Sequence, residues 1–156
     1  MSDLQRGAAV DQVVAGLTRR SAESNAALMR GDVGRYRALV EHTEDFTLMS
    51  PFGGEPTRGA DMTSERWEAM GRFFRNGLFE QDVVQAYGCA DMVVLALIER
   101  QTVEVGSLPA QSWFLRVTLV YRRKGDEWHL AHRHADPLVG GITLDHAAAL
   151  ARGDAG

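Results

Sequence analysis

Two histidines near the end of the chain are its foremost candidates for chemistry. Side chains alternate between two faces along the predicted strand Trp128–Asp136. One face carries Trp128 and Leu130 and then His132 and His134. If the apolar members of this face point inward, both imidazoles stand on the inner wall of the fold. A neutral imidazole donates and accepts hydrogen bonds and titrates near neutral pH, so His132 and His134 are the candidate catalytic residues, as acid, base or ligand-orienting groups.

Two other roles stay open for this histidine pair. A His132 hydrogen-bonded to a neighbouring strand or helix would be a packing residue. A His-x-His pair can also bind a metal, but such a site needs a further ligand, which the sequence does not place. We therefore expect no metal and no cofactor. By the same alternation, Arg133 is expected on the opposite face of the strand.

Charged residues also interrupt the apolar strands. Arg116 lies within the apolar run 113–119, where it either points to water or reaches into a pocket to hold an anion. We include it among the ligand-binding candidates. The polar residues at 99–104 are expected at the exposed end of their strand. They are Glu99, Arg100, Gln101 and Glu104.

The remaining ligand-binding candidates are aromatic residues and one serine. Aromatic side chains belong more often to a core than to a pocket, but in a hollow fold some of them must line the interior. The candidates are Tyr36, Ser50, Phe52, Trp67, Phe74 and Trp113. Ser50 is either a turn residue or a hydrogen-bond donor to a ligand. Cys89 has no base near it in sequence, and we interpret it as a small structural residue.

Composition limits the class of protein. The chain has 156 residues, of which 45% are hydrophobic, and a net charge of −4, which suits one globular domain and argues against a nucleic-acid surface. A single cysteine excludes an internal disulfide and fits a reducing compartment. The chain contains no apolar run of the roughly 18 residues that a membrane span needs, and no signal-peptide pattern at its start. We therefore expect a cytoplasmic protein that binds neither nucleic acid nor membrane.

The elements that position these residues change in type along the chain. Apolar residues at helical spacing predict helices in the first part, over 10–29, Asp32–Val40 and Asp61–Asn76, where Gly77 is interpreted as the stop signal. A short strand, Glu44–Met49, lies between the last two of these helices. The second half is rich in Val, Leu, Tyr, Phe and Trp and predicts strands separated by short turns. These strands are Phe79–Tyr87, Asp91–Val103, Gln111–Arg123 and Glu127–Ala135.

Helices followed by an antiparallel meander predict an α+β fold with helices on one face of the sheet. Strands of ten or more residues must twist and bend, so we expect a cone-shaped fold in which N-terminal helices pack on a strongly curved mixed or antiparallel sheet and enclose a pocket. A short helix is expected in the tail, 143–152. The outer faces of the strands at 92–98 and 113–121 are also apolar, which predicts a homodimer through the outer sheet face.

Three local motifs resemble the nuclear transport factor 2-like superfamily, in its SnoaL-like and ketosteroid-isomerase-like branch. They are the helix break Met29–Asp32, the proline- and glycine-rich loop Ser50–Gly59 and the closing strand Trp128–Ala135. The resemblance implies a single SnoaL-like domain over 1–156, with its core at about 8–137. In the steroid isomerases an aspartate acts as base and a tyrosine as proton donor. The matching positions here are Ser50 and Ser24, and both departures count against that chemistry.

The sequence therefore leaves three hypotheses about function. The resemblance implies a pocket for a small apolar or aromatic ligand, and cofactor-free isomerase, cyclase or hydrolase chemistry on a small carbonyl or cyclic compound is one hypothesis. The serines at the expected catalytic positions favour the second, a non-catalytic ligand-binding domain. The third is a dimerising interaction domain of the same fold.

Overall fold

A computed structural model describes residues 1–154, in which the N-terminal helices form one layer packed on one sheet. The order of elements follows the sequence expectation of helices first and strands second. The helices are α1 (Asp3–Met29), α2 (Val33–Leu39), α3 (Ser64–Phe73) and α4 (Leu144–Ala151). The strands are β1 (His42–Met49), β2 (Thr57–Arg58), β3 (Phe74–Gly88), β4 (Met92–Val105), β5 (Gln111–Lys124) and β6 (Glu127–Pro137). Within residues 1–154, no helix is both long and apolar enough to cross a membrane.

The helices begin at side-chain caps that the sequence supplies. Ser2 and Gln5 form a reciprocal capping box at the start of α1. Asp32 caps α2 and Thr63 caps α3, each by accepting a backbone N–H. Between α1 and α2, Gly31 adopts a φ of 81°, a left-handed conformation that favours glycine. The chain therefore turns sharply after α1, and α2 packs back against it.

The sheet is mixed, as expected for this fold class. Its strand order is β2-β1-β6-β5-β4-β3. The meander β3–β6 is antiparallel throughout, while β1 pairs with β6 in parallel. The sheet is not closed into a barrel; α1 lies across β3 and β4, and the concave side faces the helices. The fold is thus an α+β cone with its interior between the helical layer and the sheet.

Register irregularities in β6 and β3 affect which side chains point inward. In β6, Leu130 is opposite Tyr121 and His132 is opposite Val120, so Ala131 is an extra residue in a β-bulge. In β3, the register shifts between Arg75 and Leu78 and again between Val83 and Gln85. A bulge inverts the alternation that follows it, because side chains alternate with a period of two.

The start of β3 corrects the prediction for the third helix. Helix α3 ends at Phe73, and Phe74, Asn76 and Gly77 belong to the strand rather than to the helix. Gly77 is therefore not a helix stop. It lies against the end of α1, where an added Cβ would come 2.5 Å from the Cβ of Met29. Close packing of α1 on the sheet, rather than helix termination, accounts for this glycine.

Candidate functional site

The concave side of the sheet encloses a cavity of about 350 Å³. Small-molecule sites in proteins are typically concave, mostly apolar and of roughly 300–1,000 Å³. Most of the lining is apolar and comes from α1, α3, the β1–β2 loop and the inner faces of β4 and β5. Its aromatic and aliphatic members include Leu28, Phe46, Trp67, Met70, Phe74, Val103, Trp113 and Leu115.

An ion pair is built into the cavity wall. Arg133 of β6 donates from Nη1 and Nη2 to the two carboxylate oxygens of Glu99 at 2.9 and 2.7 Å. Asn25 of α1 donates a further hydrogen bond to Glu99 at 3.3 Å. The Glu99 side chain is 1% exposed and that of Arg133 is 19% exposed. Burial acts to lower the pKa of Arg133, but the charge and hydrogen bonds of Glu99 outweigh it and raise that pKa. Because the two charges are paired, Arg133 and Glu99 together add no net charge to the cavity wall.

Two polar atoms of the cavity wall lack partners. Within residues 1–154, neither Gln101 Oε1 nor Trp113 Nε1 has a hydrogen-bond partner, although both atoms are buried. The two residues are directly opposite each other on β4 and β5 and both line the cavity. Buried polar atoms are normally hydrogen-bonded, so an unpaired donor and an unpaired acceptor on two paired residues distinguish this part of the wall.

A tyrosine and a histidine share another side of the cavity. Tyr36 Oη and His42 Nε2 lie 3.2 Å apart, and the His42 ring stacks on Phe46 with 3.7 Å between centroids. Burial, reinforced by the charge of Arg37, lowers the pKa of His42 to about 4. Burial raises the pKa of Tyr36 to about 12, against the lowering influence of Arg133. At neutral pH the pair therefore consists of a neutral imidazole and a protonated phenol.

The loop between β1 and β2 forms the rim of the cavity. Ser50 accepts a hydrogen bond from the backbone N–H of Phe52, which is the role of a turn residue, and both line the cavity. The Phe52 ring is 54% exposed and contacts Phe73 and Trp113 edge-on. Across the rim, Arg66 donates to Thr57 at 2.8 Å. An exposed aromatic ring at the rim leaves apolar surface for an entering molecule.

The structure brings most of the predicted ligand-binding residues together. The candidates that line the cavity are Tyr36, Ser50, Phe52, Trp67, Phe74 and Trp113. Their role as ligand contacts stays a prediction. Arg116 lies outside the cavity, on the outer face, where it donates two hydrogen bonds of 2.8 Å to Asp136. The sequence left two orientations open for Arg116, and the structure shows the one in which the side chain points to water.

The predicted inward orientation of the histidine pair is wrong. The bulge at Ala131 inverts the alternation after Leu130, so His132 and His134 point to the outer face and Arg133 points into the cavity. His132 hydrogen-bonds through Nδ1 to Thr47 Oγ1 of the neighbouring strand at 2.8 Å. This matches the packing role that the sequence left open for it.

The cavity contains polar residues that sequence reasoning placed elsewhere. Glu99 and Gln101 were expected at an exposed strand end, but they are 1% and 4% exposed. The signal that could have found them is the unbroken alternation of β4, in which Val93, Leu95 and Leu97 precede them on the same face. His42 lies at the start of β1, just before the predicted strand, and no spacing indicated its role.

Among residues 1–154, one group of side chains outside the cavity offers three possible metal ligands. Ligand atoms of Glu41, Glu127 and His129 lie within 4.8 Å of one another, beside an open groove outside the cavity. The imidazole is buried and both carboxylates are exposed, with His129 Nε2 at 3.2 Å from Glu127 and 3.4 Å from Glu41. Plain hydrogen bonds and ion pairs fit these distances equally well, so the group carries no metal assignment.

Solved structures that resemble this chain share its fold. A candidate dehydratase of the nuclear transport factor 2-like family from Streptomyces avermitilis is 19% identical, with a TM-score of 0.68, over 83% of this chain and 99% of that chain. A structure described as a nuclear transport factor 2-like superfamily protein, from Salmonella enterica, is 16% identical, with a TM-score of 0.65. The alignment covers 86% of this chain and 94% of that chain. A candidate scytalone dehydratase from Novosphingobium aromaticivorans is 11% identical, with a TM-score of 0.65, over 83% and 88%.

Sequence comparison identifies the family. Among curated proteins, none matches the chain. Residues 21–139, which run from within α1 to just beyond β6 and include the whole cavity wall, match the SnoaL-like domain. The match covers most of the chain, and the fold is the one that the similar structures share. The chain therefore belongs to the SnoaL-like domain family, and it has the fold of solved structures from the nuclear transport factor 2-like superfamily.

Proposed function

We propose that this protein binds a small, uncharged and largely apolar cyclic compound in the cavity between α1, α3 and the sheet. The observation that carries the proposal is the wall itself, which is mostly apolar. Its buried charges, Arg133 and Glu99, are paired with each other, and the third charged side chain, Arg66 at the rim, donates to Thr57. An anion would have to compete with Glu99 for the guanidinium, and a cation with Arg133 for the carboxylate. A neutral ligand avoids both penalties.

Ligand binding can be tested by blocking the cavity. Ala69 of α3 lines the cavity and is itself exposed, so Ala69→Trp is expected to fill the space without disturbing the core. The wild-type protein is expected to bind bicyclic aromatic compounds, as measured by calorimetry and by quenching of Trp67 and Trp113 fluorescence. The control is Ala9→Trp, at an exposed position of α1 outside the cavity. Equal binding by the wild-type protein and the Ala69→Trp variant would show that the ligand site is elsewhere.

Acid–base catalysis is the second candidate function, and the pairing of Tyr36 with His42 favours it. The two groups hydrogen-bond to each other and both line the cavity, so a bound molecule could contact a base and a proton donor together. Two similar structures are described as candidate dehydratases, which agrees with this class of chemistry. Neither Ser50 nor Ser24 supplies a base; Ser24 is buried and donates to the Ser21 carbonyl.

The Tyr36–His42 hypothesis predicts a specific pH dependence. A base whose pKa is about 4 is unprotonated from about pH 5 upward, so turnover should rise through about pH 4 and then stay level. Tyr36→Phe and His42→Gln should abolish turnover while ligand binding persists. If the wild-type protein binds a ligand without turning it over, the result favours the non-catalytic hypothesis.

A further inference from the structure

The unpaired atoms of Trp113 and Gln101 indicate which group the ligand carries. We infer that these two residues bind a hydroxyl group of the ligand, an alcohol or a phenol, which accepts from Trp113 and donates to Gln101. The inference rests on the proposed function, because it concerns the same cavity. It adds the chemical class of the group that is recognised.

The positions of the two residues make a shared partner possible. Gln101 and Trp113 are a cross-strand pair on β4 and β5, and both line the cavity. Side chains directly opposite each other on neighbouring strands have Cβ atoms about 4.5–5.5 Å apart. One ligand oxygen atom between the two side chains can therefore contact both of them.

The chemistry of the two atoms selects the ligand group. The indole N–H only donates, and the unpaired Gln101 Oε1 only accepts. A hydroxyl oxygen satisfies both atoms, whereas an ether satisfies only the indole and an ammonium group only the amide oxygen. A carboxylate would stand near Glu99, which is on the same face of β4 two residues before Gln101. A neutral hydroxyl meets all these conditions through a single oxygen atom.

Other polar residues of the wall already have partners. Glu99 accepts from Arg133 and Asn25, and Tyr36 is hydrogen-bonded to His42. A ligand that bound to these groups would compete with these existing bonds. Binding at Trp113 and Gln101 breaks no existing bond and satisfies two buried atoms that are otherwise unpaired.

The test uses three probes of similar shape with calorimetry on the full chain. The probes are 2-naphthol, 2-methoxynaphthalene, which only accepts, and 2-methylnaphthalene, which does neither. Trp113→Phe removes the N–H but keeps an aromatic ring, and Gln101→Met keeps the length of the side chain without its amide. Each variant is expected to weaken 2-naphthol binding roughly tenfold and 2-methylnaphthalene binding less than about threefold. The affinity for 2-methoxynaphthalene should fall in the Trp113→Phe variant and stay unchanged in the Gln101→Met variant.

The controls are Trp128→Phe and Gln111→Met, because both residues lie outside the cavity. For each probe, the affinity for a variant is divided by the affinity for the wild-type protein. This ratio removes the effect of the different hydrophobicity of the probes. If each variant weakens 2-naphthol and 2-methylnaphthalene equally, the hydroxyl site is wrong and the binding cavity still stands. If the wild-type protein binds none of the three probes, the proposed function fails as well.

Discussion

Arg133 reaches across β5 to hold the carboxylate of Glu99, joining β6 to β4 through the cavity wall. Its guanidinium donates two hydrogen bonds of 2.9 and 2.7 Å to a side chain that is almost completely buried. The bulge at Ala131 makes this possible, because without it Arg133 would point to the outer face. The ion pair therefore depends on one extra residue in the strand.

Removing one partner of this ion pair should destabilise the fold strongly. Arg133→Met leaves Glu99 buried without its main partner, and we expect a loss of about 3–5 kcal/mol in the free energy of unfolding. The double variant Arg133→Met/Glu99→Leu should recover much of this loss, because no buried charge remains. Urea unfolding measures both variants.

The matched control is Arg116→Met, which breaks another two-bond arginine pair, with Asp136 on the outer face. Because this pair is solvated, little change in stability is expected. A similar loss for Arg116→Met and Arg133→Met would contradict the importance of burial.

His42 should make stability depend on pH. Its folded pKa is about 4, below the ordinary value of 6.5, so the unfolded chain binds the proton more tightly. The contribution of His42 to the free energy of unfolding is complete above about pH 6.5 and is lost as the pH falls to about 4. The total loss is about 3 kcal/mol. The difference in unfolding free energy between the wild-type protein and His42→Gln should change across this window. The control is His146→Gln, at an exposed position of α4.

His132 is expected to be a structural residue. His132→Ala removes the hydrogen bond to Thr47 and should lower the free energy of unfolding by about 1 kcal/mol. Affinity for a cavity ligand should not change, because the ring is on the outer face. His134→Ala, which lies on the same face, serves as the companion variant. A tenfold loss of affinity in either variant would restore the histidine pair as part of the site.

This pair shows how far the sequence could predict the site. Strand composition and turn residues identified β4, β5 and β6, and alternation alone assigned their faces. Alternation holds through β4 and by itself places Glu99 and Gln101 inside. The prediction put them at an exposed strand end because they are charged or polar. In β6 it fails at Ala131, because a bulge depends on pairing with β5 and has no distinct local composition.

The contact between Gly77 and Met29 should make α1 docking sensitive to a single methyl group. An alanine at 77 would place its Cβ 2.5 Å from Met29 Cβ and 2.6 Å from the Met29 carbonyl oxygen. Backbone must move to relieve this contact, and we expect Gly77→Ala to lower the free energy of unfolding by about 1–3 kcal/mol. Gly7→Ala is the control. No atom lies within 4 Å of its added Cβ, and alanine should stabilise α1 by up to about 1 kcal/mol. The same sign for both variants would refute the packing explanation.

The outer face of the sheet should mediate a homodimer. Phe114, Met92 and Tyr87 are 41%, 42% and 59% exposed there, and Val94 and Ile98 lie on the same face of β4. Apolar surface on the open face of an antiparallel sheet is stabilised when a second layer covers it. Sedimentation velocity at micromolar concentration should therefore give a dimer, and Phe114→Glu should shift it to monomer by placing a charge in the contact. Leu4→Glu, an equally apolar but remote exposed position on α1, should leave the dimer intact. A wild-type monomer under these conditions would refute the predicted interface.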